Sequence, residues 1–179
     1  MFTNKKIAKF SIFFFCFSIF SSISQTNEDV PLNNMVINEI PKPISSLIFE
    51  DFSGNEINLN QYNGKLVIIN FWATWCAPCK KEMPSLDKLY QTNNFKNLQV
   101  FAVNMEQPNT LKTKKFFTNL NIQKLEIFFD RNLNFVKEFK LRGVPTTVLI
   151  NKKGEEFARI IGEVNFQDKK FLKWLSKYD

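Results

Sequence analysis

Apolar and polar positions alternate along the chain in a pattern that predicts short strands separated by helices. Residues 65–73 form an unbroken apolar run of strand length, which is typical of a strand buried on both faces of a sheet. Residues 99–105 predict a second buried strand, and residues 125–129 predict a third, shorter one. This order favours an α/β domain whose parallel core sheet is covered by helices on both faces.

Helices are predicted where apolar residues recur every three or four positions. Four segments have this spacing, namely residues 83–90, 109–121, 133–140 and 165–178. On the second of these segments, Lys112, Lys114 and Lys115 are expected to form a solvated face. The spacing therefore places a helix between each pair of core strands and a further helix at the end of the chain.

Two hairpins complete the predicted domain. Residues 47–49 and 56–59 flank a Ser-Gly-Asn turn and predict an N-terminal β-hairpin. Residues 146–150 and 156–161, joined by a turn that contains Gly154, predict a second hairpin that adds an antiparallel edge to the sheet. Residues 25–45 are polar and contain three prolines, so they predict a linker. The folded domain is accordingly expected to span residues 46–179.

Residues 1–24 have the pattern of a segment that directs export. Three lysines within the first ten residues precede an apolar run of about ten residues, and small residues follow it. A cleaved signal peptide is the first interpretation and an uncleaved membrane anchor the second, because the run is shorter than the ~20 residues of a spanning helix. Both interpretations place the domain in the periplasm or on the extracytoplasmic face of the inner membrane. Cys16, inside the run, is interpreted as an ordinary apolar residue.

Composition excludes several classes of function. The chain contains no histidine, which excludes Ser-His-Asp triads, Cys–His nucleophile pairs and metal sites built on imidazole. The net charge of +7 includes three lysines of the N-terminal segment, and no basic cluster is interleaved with aromatic residues. We therefore expect no nucleic-acid partner. No metal and no organic cofactor are expected.

The motif Trp75-Cys76-Ala77-Pro78-Cys79 follows the first buried strand and opens a predicted helix. At a helix N-terminus, free N–H groups and the helix dipole stabilise a thiolate, which lowers the pKa of Cys76 and makes it a nucleophile. Cys79 lies one turn further on and is able to attack a mixed disulfide. Trp75 is expected to shield the pair from water, and Pro78 fixes the backbone between the thiols.

Two other interpretations of the cysteine pair are weaker. A zinc site needs four ligands, and the chain beyond Cys16 offers no further cysteine. A structural disulfide that closes so short a loop adds little stability.

Elsewhere, residues alone favour a trans bond before Pro145, because only about 5% of such bonds are cis. A surface position is the first expectation for Glu82.

The stretch from residue 64 to residue 89 resembles the active-site segment of the thioredoxin superfamily. More narrowly, it is similar to the TlpA-like branch, which includes ResA and the DsbE/CcmG proteins. The resemblance runs over roughly residues 45–178. Residues 143–147 match the cis-proline loop of that family, and residues 109–129 match the central αβ insertion of the branch. A thioredoxin-like fold with an N-terminal β-hairpin and this insertion is therefore implied.

The resemblance also implies roles for individual residues. Cys76 is the attacking thiol and Cys79 the resolving one. Pro145 is cis beside the disulfide, and the backbone of Val144 pairs with an extended substrate segment. Glu82 occupies the position at which ResA-like proteins carry a glutamate that tunes the thiols.

Two positions depart from related patterns. Ordinary thioredoxins carry a buried aspartate where this chain has Asn70, and an amide cannot accept the proton of Cys79. Glu82 or a water molecule would then take that role. Ala77 and Pro78 differ from the pair that is common in DsbE/CcmG proteins, which leaves a role in cytochrome c maturation open.

These features predict a reductase of disulfides in exported proteins, with apocytochrome c as the leading single substrate. A membrane thiol donor of the CcdA/DsbD type is expected to keep it reduced. The first alternative is an oxidase or isomerase of the same fold, since one motif supports potentials from about −270 to about −120 mV. The alternative from another class is a redox-inert or metal-chaperone binding module, which the lack of histidine disfavours.

Overall fold

The computed structural model describes residues 30–92 and 94–179. The predicted signal peptide or anchor and Cys16 lie outside the described residues. Within them, every helix is too short or too polar to cross a membrane.

Strands and helices alternate along the described chain as the apolar pattern predicts. The strands are β1 (Met35–Pro43), β2 (Ile48–Asp51), β3 (Glu56–Asn58), β4 (Leu66–Trp72), β5 (Leu98–Asn104), β6 (Ile127–Phe129), β7 (Thr146–Ile150) and β8 (Glu155–Ile161). The helices are α1 (Ala77–Gln91), α2 (Thr110–Asn119), α3 (Asn134–Phe139) and α4 (Lys169–Leu175). Short 3₁₀ segments at Leu59–Tyr62 and Ser176–Tyr178 follow β3 and α4.

The strands form one sheet in the order β1-β8-β7-β4-β5-β6-β2-β3. Strands β4, β5 and β6 are parallel, and β7, β8 and β1 continue the sheet in antiparallel pairs. The β2–β3 hairpin pairs with β6 at the opposite edge. The α/β class, the parallel core and both predicted hairpins are confirmed.

Strand β4 lies at the centre of the sheet and separates two apolar cores. Because successive side chains of a strand point to opposite faces, Ile68 and Trp72 join the core beneath α1, α2 and α4. Ile69 and Phe71 join the core beneath α3, where Phe71 contacts Phe135 at a centroid distance of 5.6 Å. Full burial of one such side chain stabilises the fold by about 1.5–3 kcal/mol. The strand that leads to the cysteines is therefore held on both faces.

The linker predicted over residues 25–45 is wrong for its second half. Strand β1 occupies Met35–Pro43 and pairs with β8. Prolines are tolerated there because β1 is an edge strand, and the pairing register shifts between Ile37 and Lys42. Most β1 side chains are exposed or half-buried, so the strand has no clear apolar pattern. Its place depends on pairing with a partner more than 100 residues away along the chain.

The last helix is shorter than predicted. Helix α4 begins at Lys169 because the carboxylate of Asp168 accepts hydrogen bonds from the N–H groups of Lys170 and Phe171. The predicted apolar face is confirmed, since Phe171, Trp174 and Leu175 are buried.

Candidate active site

The motif Cys-Ala-Pro-Cys lies where β4 leads into α1. Cys76 is the N-cap of α1, and its Sγ accepts a hydrogen bond from the backbone N–H of Cys79 at 3.2 Å. Ala77 is the first helical residue and Pro78 the second, a position where a missing N–H costs no helical hydrogen bond. The predicted placement of the Cys76 sulfur at a helix N-terminus is confirmed. This placement stabilises a negative charge on the sulfur.

Cys76 and Cys79 form a disulfide with their Cα atoms 5.3 Å apart. Cys79 is fully buried, whereas Cys76 retains a 3% exposed fraction. Both cysteines belong to the apolar core beneath α1. Trp75 is 68% exposed, so its indole ring extends into solvent. The apolar core around the two cysteines, and not this ring, excludes most of the water from the pair. A partner disulfide is able to approach the pair only from the side of Cys76.

Glu82 is buried one helical turn after Cys79, which corrects the surface position expected from its residue type. Its Oε1 accepts a hydrogen bond from Nδ2 of Asn70 at 2.8 Å, and its Oε2 accepts one from the N–H of Val164 at 3.0 Å. Burial raises the pKa of Glu82 to about 7, against the opposing effect of these two hydrogen bonds. This carboxyl group is consequently able to gain and lose a proton near neutral pH.

Asn70 connects Glu82 to the next strand of the sheet. Its Nδ2 also donates to Oγ1 of Thr147 at 2.9 Å, and these two residues are direct partners in the β4–β7 register. The Oδ1 of Asn70 is buried without a hydrogen-bond partner. Sequence reasoning missed Thr147 and Val164. The pairing of the two predicted strands is a signal for Thr147, whereas Val164 belongs to a loop with no distinctive pattern.

The bond between Val144 and Pro145 is cis, as the family resemblance implies and contrary to the expectation from residues alone. The carbonyl of Pro145 accepts a hydrogen bond from the N–H of Gly162 at 2.9 Å. The backbone of Val144, by contrast, makes no hydrogen bond to any other described residue. Its side chain packs against the core that contains both cysteines. An open cleft of about 680 Å³ begins at this loop.

Glu106 is a second residue that sequence reasoning missed. It lies just after β5, and its carboxylate accepts hydrogen bonds from the backbone N–H and the hydroxyl of Thr74, two residues before Cys76. The same carboxylate pairs with Nζ of Lys112 in α2 at 2.6 Å. Strands β4 and β5 are parallel neighbours, so both end at the same edge of the sheet. An acidic residue just after β5 is therefore a sequence signal from which its contact with the motif loop could have been predicted. Glu106 fastens the loop that carries the motif.

The chain is similar to known proteins in sequence and in fold. A family model described as AhpC/TSA family matches residues 40–155. The thiol-disulfide oxidoreductase ResA of Halalkalibacterium halodurans is 36% identical over 110 residues, which span 62% of this chain and 61% of that protein. ResA of Geobacillus kaustophilus is 35% identical and covers 68% of each chain. The crystal structure of StoA from Bacillus subtilis matches with a TM-score of 0.62 and 25% identity, over 74% of this chain and 99% of that one.

Proposed function

Since the chain belongs to the AhpC/TSA family of thioredoxin-like proteins and is a thiol–disulfide oxidoreductase, we propose that it acts as a reductase of disulfides in exported proteins. The observation that carries the direction of electron flow is the buried carboxyl group of Glu82 beside the motif. A strong oxidant of this fold owes its high potential to a stabilised reduced form. A negative charge on Glu82 destabilises thiolates nearby, and so it lowers the reduction potential.

The reaction transfers two electrons from the protein to its substrate. The thiolate of Cys76 attacks one sulfur of the substrate disulfide and releases the other as a thiolate. Cys79 loses its proton to Glu82 and attacks the sulfur of Cys76, which releases the second substrate thiol and leaves the Cys76–Cys79 disulfide. A donor dithiol then reduces this disulfide and becomes oxidised itself. Neither a metal nor an organic cofactor takes part in the proposed cycle.

Substrate binding is proposed to use the loop before β7. The N–H and carbonyl groups of Val144 have no partner among the described residues, so an extended segment is able to pair with them as an added strand. Pro145 holds this backbone in place, and Trp75, the residue before Cys76, presents an exposed ring. A disulfide in the bound segment would then lie over Cys76.

The location and the partners are also proposals. Residues 1–24 have the pattern of a signal peptide or anchor, which fits the periplasm or the outer face of the inner membrane. A membrane thiol donor of the CcdA/DsbD type would supply electrons there. Apocytochrome c is the leading single substrate, because the resemblance lies with the branch that includes cytochrome c maturation proteins. The domain itself is proposed to include β1 (Met35–Pro43) and not to begin only at residue 46, since β1 pairs with β8.

The reduction potential of the Cys76–Cys79 pair tests the proposal. The purified protein is equilibrated against glutathione and dithiothreitol buffers, and its redox state is measured by thiol alkylation. A potential below about −220 mV is expected for a reductase. A value near −120 mV would overturn the proposal in favour of an oxidase of the same fold.

A further inference from the structure

A second open cleft lies beside the motif, and its lining residues differ from those of the cleft at the cis-proline loop. Its volume is about 330 Å³, and it lies between the motif loop and α2. Trp75 and Lys80 line one wall, while Lys112, Lys115 and Phe116 line the other. The cleft therefore adjoins the motif, because Thr74 and Trp75, the two residues before Cys76, both line it.

The charge that this cleft presents to solvent is positive. Lys112 and Lys115 are one helical turn apart and lie on the same face of α2. Lys112 is neutralised by Glu106, but neither Lys80 nor Lys115 has an ion pair with any described residue. Among the described residues, no acidic side chain lines the cleft. Two ammonium groups without an ion pair thus line the same cleft as the exposed indole ring of Trp75.

Two other clefts differ in that acidic residues line them together with basic ones. The cleft at the cis-proline loop contains Glu138 and Glu156 besides its basic residues, and Arg159 pairs with Glu156. The cleft lined by Lys114 also contains Asp51 and Glu126. The described residues that line the cleft beside Trp75 thus include basic side chains and no acidic one, whereas acidic and basic side chains mix in these two other clefts. Lys112 and Lys115 line the cleft beside Trp75 because they are one turn apart on the same face of α2, whereas Lys114 lines another cleft.

We propose that this cleft binds an acidic segment of the protein substrate, which flanks the disulfide that Cys76 attacks. Carboxylates of the segment pair with Lys80 and Lys115, and an apolar side chain of the segment packs on the ring of Trp75. Charge complementarity of this kind acts mainly on the rate of encounter and on the choice of partner. The inference rests on the proposed function, to which it adds the chemistry of the substrate.

Binding is measured first, with a probe that needs no redox reaction. A glutamate-rich peptide without cysteine is titrated into the full-length oxidised protein in non-ionic detergent, and a lysine-rich peptide of equal length serves as control. The readout is the indole N–H resonance of Trp75, since Trp72 and Trp174 are buried. We expect a saturable shift with the acidic peptide that weakens as salt is raised from about 0.05 to about 0.3 M. Equal shifts with both peptides, or none, would overturn the proposal.

Kinetics then test which lysine is responsible. The reduced protein is mixed with peptide disulfides that carry either glutamates or lysines beside the bond, and the second-order rate constant of a single turnover is measured. Wild type should prefer the acidic peptide on the order of tenfold. Lys115→Glu should lower the rate with that peptide about fivefold and raise the rate with the basic one. Lys114→Glu is the matched control, because it reverses the same charge on the same helix outside the cleft.

The outcomes separate this inference from the proposed function. An unchanged preference in Lys115→Glu, or an equal change in Lys114→Glu, would contradict binding in this cleft. Both variants should keep the reduction potential of wild type, since neither lysine contacts the disulfide. If the reduction potential is that of an oxidase, the proposed direction of electron flow is wrong, but the predicted preference for acidic segments still stands.

Discussion

The Nδ2 atom of Asn70 lies 2.8 Å from Oε1 of Glu82, so the amide of a central strand holds the buried carboxyl group beside the cysteines. An amide at this position carries no charge, and it adds no second carboxylate whose repulsion would raise the pKa of Glu82 further. Burial is the largest cause that raises this pKa to about 7. Glu82 is thus a buried group that exchanges a proton near neutral pH, one helical turn from the resolving cysteine.

The raised pKa of Glu82 predicts that stability falls as the pH rises. The folded protein binds a proton on Glu82 up to about pH 7, whereas the unfolded chain releases it near the ordinary value of 4.5. The stabilisation is therefore fully present below pH 4.5 and is lost as the pH rises through 7. We expect a loss of roughly 2–3 kcal/mol between about pH 5 and about pH 8. Urea unfolding of wild type and Glu82→Gln measures it, and an equal pH dependence in both proteins would contradict the assignment.

Glu82→Gln should also slow the second half of the reaction. Without a carboxylate to accept the proton of Cys79, release of product from the mixed disulfide is expected to slow roughly 100-fold at about pH 7. The defect should shrink towards about pH 9, because Cys79 then ionises without help. Stopped-flow measurement of product release gives the rate directly. The first step, attack by Cys76, serves as the internal control, and a defect confined to that step would contradict this role.

Replacement of Cys76 and replacement of Cys79 should have different effects on the amount of mixed disulfide that accumulates. Cys79→Ser retains the nucleophile and is expected to accumulate a covalent mixed disulfide with a peptide disulfide, visible by mass spectrometry under non-reducing conditions. Cys76→Ser should form little adduct, because the remaining Cys79 is fully buried. Comparable adduct formation by both variants would mean that either sulfur is reachable. That result would contradict the assignment of Cys76 as the attacking thiol.

The central part of the fold was predictable because its signals are local. Strand β4 is buried over its whole length and is apolar except for Asn70, and Cys76 follows it after a short loop. Strand β1 was not predictable, because its side chains are largely exposed and it is held in place by hydrogen bonds to distant β8. A pattern of residue types records which side chains are buried. It does not record which backbone edges find a partner.

The same distinction applies to the site. Cys79, Met83 and Leu86 share the buried face of α1, and Glu82 lies on it as well, so the helical spacing could have indicated that Glu82 is buried. Residue type argued for the surface and was misleading here, because the hydrogen bonds from Asn70 and Val164 offset the cost of burial. Val164 comes from a loop 82 residues away, and only the folded chain brings it to the carboxylate.

The last prediction concerns Glu106, which fastens the motif loop. Burial raises the pKa of Glu106, but hydrogen bonds from Lys112, Thr74 and Asn104 outweigh it, and the net pKa is lower than that of an ordinary glutamate. The ionised carboxylate of Glu106 thus stabilises the fold at pH values above the ordinary pKa of a glutamate. This contribution is lost as the pH falls through the lowered pKa of Glu106 in the folded protein. Glu106→Ala leaves the N–H of Thr74 without its acceptor. We expect the free energy of unfolding to fall by about 1–3 kcal/mol at neutral pH.

Amide hydrogen exchange separates this local effect from a general loss of stability. In Glu106→Ala, the N–H of Thr74 should exchange faster by more than global unfolding accounts for, because its hydrogen bond to the carboxylate is gone. Glu106→Gln retains one carbonyl acceptor and should lie between wild type and Glu106→Ala. Glu163→Ala is the matched control, since it removes an exposed carboxylate that pairs with Lys81 at 3.5 Å and accepts no hydrogen bond from Thr74. If both alanine variants behave alike, Glu106 does not hold the loop, and the position of Cys76 depends on the helix N-terminus and the two cores alone.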